Sequence, residues 1–459
     1  MDISRRIFLQ GSAAGAVGGL SMISAKQAVA NAPSDPIKIR VIFLAKPVPT
    51  WPTPHLDVQK EIGKLNGVLS GLKRDLPDIS FEGGELLRVA EDVPKALPGV
   101  QEADGVLMFN LTSTVGHLVR AIADAGKPAL LFSQPYSGHD WSAIADMQKE
   151  GKRIDAIASS NYRDLIAGIR PLRTVKRLSQ SKILVLRKAE SDATESEERL
   201  GVRIVPLQHD LLMRCYESVD GKEAEKEADR WIEGAVKVVE PTREEIIKSS
   251  RFYLAMKKAM EEENAQGIAI NCLGLFYAKK LPAYPCLGFS RLNSEGLVGA
   301  CEADVQSALT MLLFQYLTGK PGFISDPVID TANNTVIHAH CVAATRMAGT
   351  RGKEDPYILR SHLEDDKGAA LQVKMQIGRK VTMAKVVSDD LMLLSTGEIT
   401  GNPDVDRGCR TKIATKVADA RKVLQQYSHG LHRVIFYDDH CRDVESLSKY
   451  LGFKIVYET

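Results

Sequence analysis

The segment Cys301-Glu302-Ala303-Asp304-Val305 sets two carboxylates at i and i+2, where an apolar run gives way to a helical pattern. In an extended segment that spacing turns both toward one face. Asp304 also stands where a helix N-cap belongs, a role that needs no chemistry. Two further clusters follow: Asp326 and Asp330 in Ser-Asp-Pro-Val-Ile-Asp, then His338 and His340 in Thr-Val-Ile-His-Ala-His-Cys. The two histidines share a face if their segment is a strand. Carboxylate oxygen and imidazole nitrogen together suit Mn²⁺, Zn²⁺ or a similar divalent ion, provided the fold brings them close. Near the end, His429 and His432 precede the apolar run Val434-Ile435-Phe436-Tyr437, a place where a side chain can enter a cleft. Phosphate cradles of the GxxxxGK[ST] and GxGxxG types, a GxSxG elbow and an HExxH helix are all missing, which removes nucleotide-driven and common hydrolase chemistry.

The elements that must position these residues read as α/β. From Ile37 to about Ile169, short apolar runs (39–44, 105–109, 129–132, 154–158) alternate with amphipathic stretches such as Val58 to Leu76. That pattern predicts an open, mostly parallel sheet over 36–170. A second set, from Ser181 through the charged helices of 222–264 to Gly267–Asn271, predicts a central α/β domain over 171–297. Val305, Ala308, Leu309, Leu312, Leu313, Tyr316 and Leu317 form the apolar stripe of one long helix ending at Gly319. Beyond Pro321 the strand-like runs 335–342, 369–377 and 380–387 predict a β-rich C-terminal domain, taken as 298–459, whose tail returns to strand, helix and strand.

Charge and composition narrow the partners. The chain holds 60 Lys+Arg against 58 Asp+Glu, a formal charge of +2, which is no footprint for nucleic acid. Residues 1–30 are expected to be a twin-arginine export signal. Arg5-Arg6 precedes a Gly- and Ala-rich stretch that carries no charge until Lys26, and Ala28-Val29-Ala30 offers a cleavage site. The expected location is periplasmic or otherwise extracytoplasmic, reached through the twin-arginine machinery, with no stable membrane insertion once the signal is removed. Seven cysteines without a CxxC are too sparse for a disulfide framework, so most are expected to be buried small hydrophobes, with room for one or two bridges.

The order of these motifs resembles the L-fucose isomerase and L-arabinose isomerase superfamily. The resemblance rests on Lys280-Leu281-Pro282, Cys301-Glu302-Ala303-Asp304 with its helix, Leu317-Thr318-Gly319, His340-Cys341, Gly352-Lys353-Glu354-Asp355-Pro356, and His432 before a strand. It implies two Rossmann-like α/β domains followed by a β-rich domain, assembly as a trimer or hexamer, and aldose–ketose isomerisation of a carbohydrate at a Mn²⁺ site. Carried across by position, Glu302 or Asp304 matches a catalytic and metal-binding carboxylate, and His432 a metal ligand. Asp330 falls near another ligand position, and His340 matches a substrate-binding residue. One match fails: the other catalytic carboxylate belongs in Ile270–Leu275, where this chain has Leu273 and Gly274. Leucine neither binds a metal nor carries a proton, so a non-catalytic carbohydrate-binding protein on the same fold is the alternative. Trp51, Asn110 and His117 are the pocket residues expected from the N-terminal domain.

Overall fold

The computed structural model describes residues 35–190 and 195–459, and the export signal expected over 1–30 lies outside them. The first sheet is built from β1 (Ile37–Leu44), β2 (Ile79–Leu87), β3 (Gly105–Asn110), β4 (Ala129–Ser133) and β5 (Ile154–Ala158), all parallel, in the order β2-β1-β3-β4-β5. Every residue of β3 and β4 is buried, because helices cover both faces of a parallel sheet. The helix expected from Val58 runs to Leu72 and sends Leu65, Leu69 and Leu72 into the core.

The central sheet comprises β6 (Lys182–Leu186), β7 (Glu197–Arg199) and β8 (Val202–Pro206), then, past the two-residue β9 (Lys237–Val238), β10 (Gly267–Ile270) and β11 (Val298–Ala300). Its order is β11-β10-β6-β8-β7, parallel except for β7. Strand β11, expected at the head of the β-rich domain, is the edge strand of this sheet. Gly299 makes that possible: a Cβ there would lie 2.7 Å from the Phe289 backbone, so the helix Cys286–Ser294 can press directly on β11. The Asn293 amide brackets Gly299, accepting from its N–H at 2.8 Å and donating to its carbonyl at 3.1 Å.

The remaining strands are β12 (Phe323–Asp330), β13 (Thr335–His340), β14 (Tyr357–Arg360), β15 (Ala370–Val373), β16 (Lys380–Ser388), β17 (Leu391–Gly401), β18 (Thr411–Lys416), β19 (Arg433–Tyr437) and β20 (Lys454–Tyr457). Six of them run antiparallel in the order β16-β19-β12-β13-β18-β17, and β17 pairs back onto β16, so the sheet closes into a barrel. Strand β20 adds to β17 in parallel, and β14 and β15 join β9 in a small sheet beside the barrel. Among the described residues no helix is long and apolar enough to cross a membrane.

The first unit and the barrel are tied together by the last segments of the chain. The helix Cys441–Leu451 packs on the first unit, where Lys449 Nζ and Ser446 Oγ reach the Asp155 carboxylate at 2.6 and 2.5 Å. Tyr450 enters the core of that unit, and its carbonyl accepts from Arg153. Inside the barrel, Arg433 and Glu458 are both 1% exposed and form a two-pronged ion pair at 2.7–3.1 Å. The same guanidinium donates to the carbonyls of Gln426, Gly430 and His432, fixing the loop that leads into β19. Removing one partner of such a pair strands a buried charge, at a cost of about 3–5 kcal/mol. Glu458→Ala is expected to lower the stability measured by urea unfolding by that amount, whereas Glu445→Ala on the neighbouring helix surface changes it by less than about 1 kcal/mol.

Candidate metal centre

Two sheets meet at this site. The chain leaves β11 at Ala300 and makes one tight turn, Cys301–Ala303, before the helix Val305–Thr318 begins. Glu302 (φ 59°) and Ala303 (φ 52°) both lie in the left-handed region, which costs a residue with a Cβ about 1–3 kcal/mol. This strained turn separates the two carboxylates that an extended segment would have aligned. Asp304 becomes the N-cap, accepting from Ser307 N–H at 3.0 Å and from Ser307 Oγ at 2.6 Å. Its other role is not excluded by the cap, because His432 Nδ1 lies 2.8 Å from Asp304 Oδ2.

That hydrogen bond fixes the His432 ring with Nε2 pointing away from Asp304, the arrangement by which a carboxylate orients a metal-binding imidazole. Nε2 stands 3.2 Å from Asp326 Oδ1 and 3.5 Å from Glu302 Oε2. Asp326 reaches it from β12, where the pairing of Ser325 with Arg433 sets Asp326 beside His432. His340, at the end of β13, brings Nε2 to 3.6 Å from Glu302 Oε1. The ligand atoms of Asp326, His340 and His432 all lie within 4.8 Å of one another. Asp326 Oδ1, His340 Nε2 and His432 Nε2 are buried and lack a hydrogen-bond partner, the signature of donors and acceptors awaiting a shared guest.

The residues fit a divalent ion. Glu302, Asp326 and His432 Nε2 offer two carboxylates and one imidazole, a donor set that suits Mn²⁺ or Zn²⁺. His340 differs: its Nδ1 accepts from the Cys341 N–H at 3.0 Å, so the proton of the neutral ring sits on Nε2. It is placed as a hydrogen-bond donor toward Glu302 and toward anything bound beside it. The electrostatics agree with this division. Burial disfavours an imidazolium at His432, but the Asp304 hydrogen bond and the nearby Asp326 and Glu302 carboxylates push its pKa up to about 9. Burial also opposes the Asp304 carboxylate, yet His432, the Lys385 ammonium and the Ser307 donors hold it far below its ordinary value. Glu302 is lowered chiefly by His340, and Asp326 is lowered by the two histidines against the cost of its burial.

Other expected residues lie elsewhere. Asp330 is not beside His432; it ends β12 and braces the turn that follows, accepting from Ala332 N–H at 3.0 Å and Asn333 Nδ2 at 2.7 Å. It is four residues past Asp326, about 13 Å along the strand. His338 does not accompany His340: it is a core histidine bonded to Ser325 Oγ at 3.0 Å, its pKa pushed down to about 3 by burial and by Arg433. Leu273 packs half-buried against the central core, and Gly274 is exposed, so this segment brings no carboxylate. Trp51 stacks on His139, and Asn110 lines a cavity of about 240 Å³ with Phe109, Phe132, Gln134 and Tyr136. His117 lies in the helix Gly116–Ala123. The cluster draws on none of these three.

Five of the seven cysteines are buried, as small hydrophobes would be, and none is bridged. Two pairs nevertheless flank the site. Cys272 and Cys301 follow the ends of the paired strands β10 and β11, with sulfurs 3.0 Å apart. The Cys301 thiol, and after it the Glu302 N–H, hold the Cys272 pKa below the usual thiol range. Cys409 hydrogen-bonds to Cys341 and lowers its pKa in the same way.

Fold and site together define a mixed α/β protein with Rossmann-like parallel sheets, a C-terminal antiparallel barrel, and a carboxylate–histidine cluster at their junction. No family model matches the chain. It is 25% identical over 215 residues to the sulfoquinovose isomerase of Alkalicoccus urumqiensis, covering 45% of this chain and 47% of the relative. It is 29% identical over 189 residues to the sulfoquinovose isomerase of Priestia megaterium, covering 39% and 42%. A shorter stretch of 60 residues is 43% identical to the protein of the same name from a Clostridium species, 13% of either chain. The chain thus matches less than half the length of these curated relatives, and the similarity is to sugar isomerases.

Metal entering at His432 Nε2 must displace a proton held up to about pH 9. Mn²⁺ affinity, measured by calorimetry in buffers of different ionisation enthalpy, is expected to rise between about pH 6.5 and 9 with proton release. Asparagine caps a helix as well as aspartate does. Asp304→Asn should therefore weaken Mn²⁺ by about 10–100-fold with the fold intact, whereas Asp330→Asn leaves the affinity unchanged. In the metal-free chain the raised His432 pKa adds stability that is complete below the unfolded value of 6.5 and lost as pH climbs through about 9. Thermal unfolding of His432→Gln should lack that alkaline decline.

Proposed function

We propose that the chain is a metal-dependent aldose–ketose isomerase. The observation that carries this reading is the approach of both Glu302 and Asp326 to His432 Nε2, with the His340 Nε2–H beside them. Similarity to sulfoquinovose isomerases supports it. Moving a carbonyl between neighbouring sugar carbons requires polarisation of two oxygens and transfer of two protons, one from carbon to carbon and one from oxygen to oxygen. A divalent ion, with Mn²⁺ the first choice, would be held by Glu302, Asp326 and His432 and would supply the polarisation. The chain's own residues supply the rest. Glu302 presents Oε2 toward His432 and Oε1 toward His340, and its side chain is 36% exposed, so a sugar can reach it. It takes the proton from one carbon and returns it to the next. The strained turn holds that carboxylate in place before substrate arrives. His340 Nε2–H donates to a sugar oxygen, and Asp304 keeps the His432 ring in register.

The second reading, a carbohydrate-binding protein without turnover, draws on Leu273. Where a further carboxylate would belong, the chain packs a leucine on the core. In both readings the protein is exported by the twin-arginine route and assembles as a trimer or hexamer. Conversion is to be followed by chromatography with saturating Mn²⁺, starting from sulfoquinovose, the sugar in the relatives' names, and from unsubstituted aldoses and ketoses. Turnover that falls about 10²–10⁴-fold in Glu302→Gln is the expected result. Sugar-dependent thermal stabilisation with no conversion of any sugar would favour the second reading.

A further inference from the structure

We propose that Cys272 and Cys301 are a redox-modification site: a reversible disulfide between them draws Glu302 out of the metal centre. Both residues are buried, and their sulfurs lie 3.0 Å apart. They follow the ends of adjacent parallel strands, Cys272 opening the helix Cys272–Tyr277 and Cys301 the turn that carries Glu302. Closing a bond of about 2.05 Å therefore asks the sulfurs to move roughly 1 Å.

What that movement would do follows from the chain. Cys301 is the residue before Glu302, in a turn where Glu302 and Ala303 already occupy left-handed backbone. The far side of the turn is anchored by Asp304, which is held by Ser307 and His432. A pull on Cys301 toward Cys272 is thus absorbed between two fixed points, and Glu302 is the residue between them. Its oxygens sit only 3.5–3.6 Å from His432 and His340, so a small rotation breaks both contacts.

The oxidant is a small hydroperoxide. Glu302, beside Cys301 in the chain, is 36% exposed and marks the side of the pair that lies nearest to solvent along the chain. The Cys272 sulfur attacks one peroxide oxygen, forming an S–O bond and breaking the O–O bond, while its thiol proton passes to the other oxygen, which leaves as water or alcohol. The Cys301 sulfur then attacks the Cys272 sulfenic acid, forming the S–S bond and releasing water. Two thiols and one hydroperoxide give one disulfide, one alcohol (or water) and one water. A dithiol reverses the step by exchange.

The test treats the purified full-length protein with increasing hydrogen peroxide, traps free thiols by alkylation and maps linked peptides without reduction. A Cys272–Cys301 peptide is expected, together with a loss of Mn²⁺ affinity of about tenfold or more that dithiothreitol restores. In Cys272→Ala, peroxide should leave Mn²⁺ affinity unchanged. Failure of the two cysteines to link while Cys441 becomes oxidised would overturn the proposal, as would a complete bridge that leaves Mn²⁺ affinity untouched. A reduced protein that forms the bridge but never binds Mn²⁺ would support the modification site and refute the metal centre, so the two readings fail separately.

Discussion

Three carboxylates surround one imidazole, and the rest of the structure is arranged around that fact. Glu302 and Asp326 face His432 Nε2 while Asp304 holds Nδ1, all in a region partly closed to water. Like charges this close repel one another strongly when the dielectric is low, and the site persists because each has a counter-group. Ser307 and Lys385 attend Asp304, His340 attends Glu302, and the proton or ion on His432 serves all three. Lys385 is buried at some cost to its own charge, its pKa lowered by its surroundings. The cluster is thus an electrostatic unit whose members cannot be understood singly.

Such a unit needs scaffolding from more than one layer. Glu302 and Asp304 hang from the edge of the central sheet, whereas Asp326, His340 and His432 come from three neighbouring strands of the barrel. The helix Val305–Thr318 spans the junction, packing on the helix Asp164–Ser179 of the first unit as well as on β16. A closed barrel suits this work because it has no free edge along which β12, β13 and β19 can slip. Precision on the sheet side is obtained differently, by a backbone strain that only a well-packed neighbourhood sustains.

Legibility in the sequence follows the range of the interactions. The βα repeats of the first two units are local, period-driven patterns, and the runs 39–44, 58–76 and 181–186 announce β1, the helix Val58–Leu72 and β6, though not where that helix stops. The barrel's closure depends on β16 meeting β17 and β19, pairings with no local signature, and the long strand β17 is not marked by alternation in Leu391–Gly401. The same divide runs through the site. Spacing singles out Glu302 and Asp304 but not the way they cooperate, because a left-handed turn occurs where the pattern suggests an extended segment. Asp326 and Asp330 share a strand parity, so only the pairing of Ser325 with Arg433 tells which one meets His432. His338 and His340 part company for a similar reason: the end of β13 lets one ring turn outward while the other stays against Ser325.

The buried pairing of Arg433 with Glu458 sets a chronology for the nascent chain. A ribosome delivers the strands of the first sheet early, and they can fold on local information while later segments are still being made. The loop bearing His432 emerges afterwards, with an uncompensated guanidinium at its base until the residue after β20, Glu458, is supplied. The carboxylate–histidine cluster therefore matures after the α/β units. A polypeptide in which synthesis has not yet reached Glu458 would carry its α/β units but an unsteadied His432 loop, so the length of chain delivered, and not only its fold, governs when that loop is set.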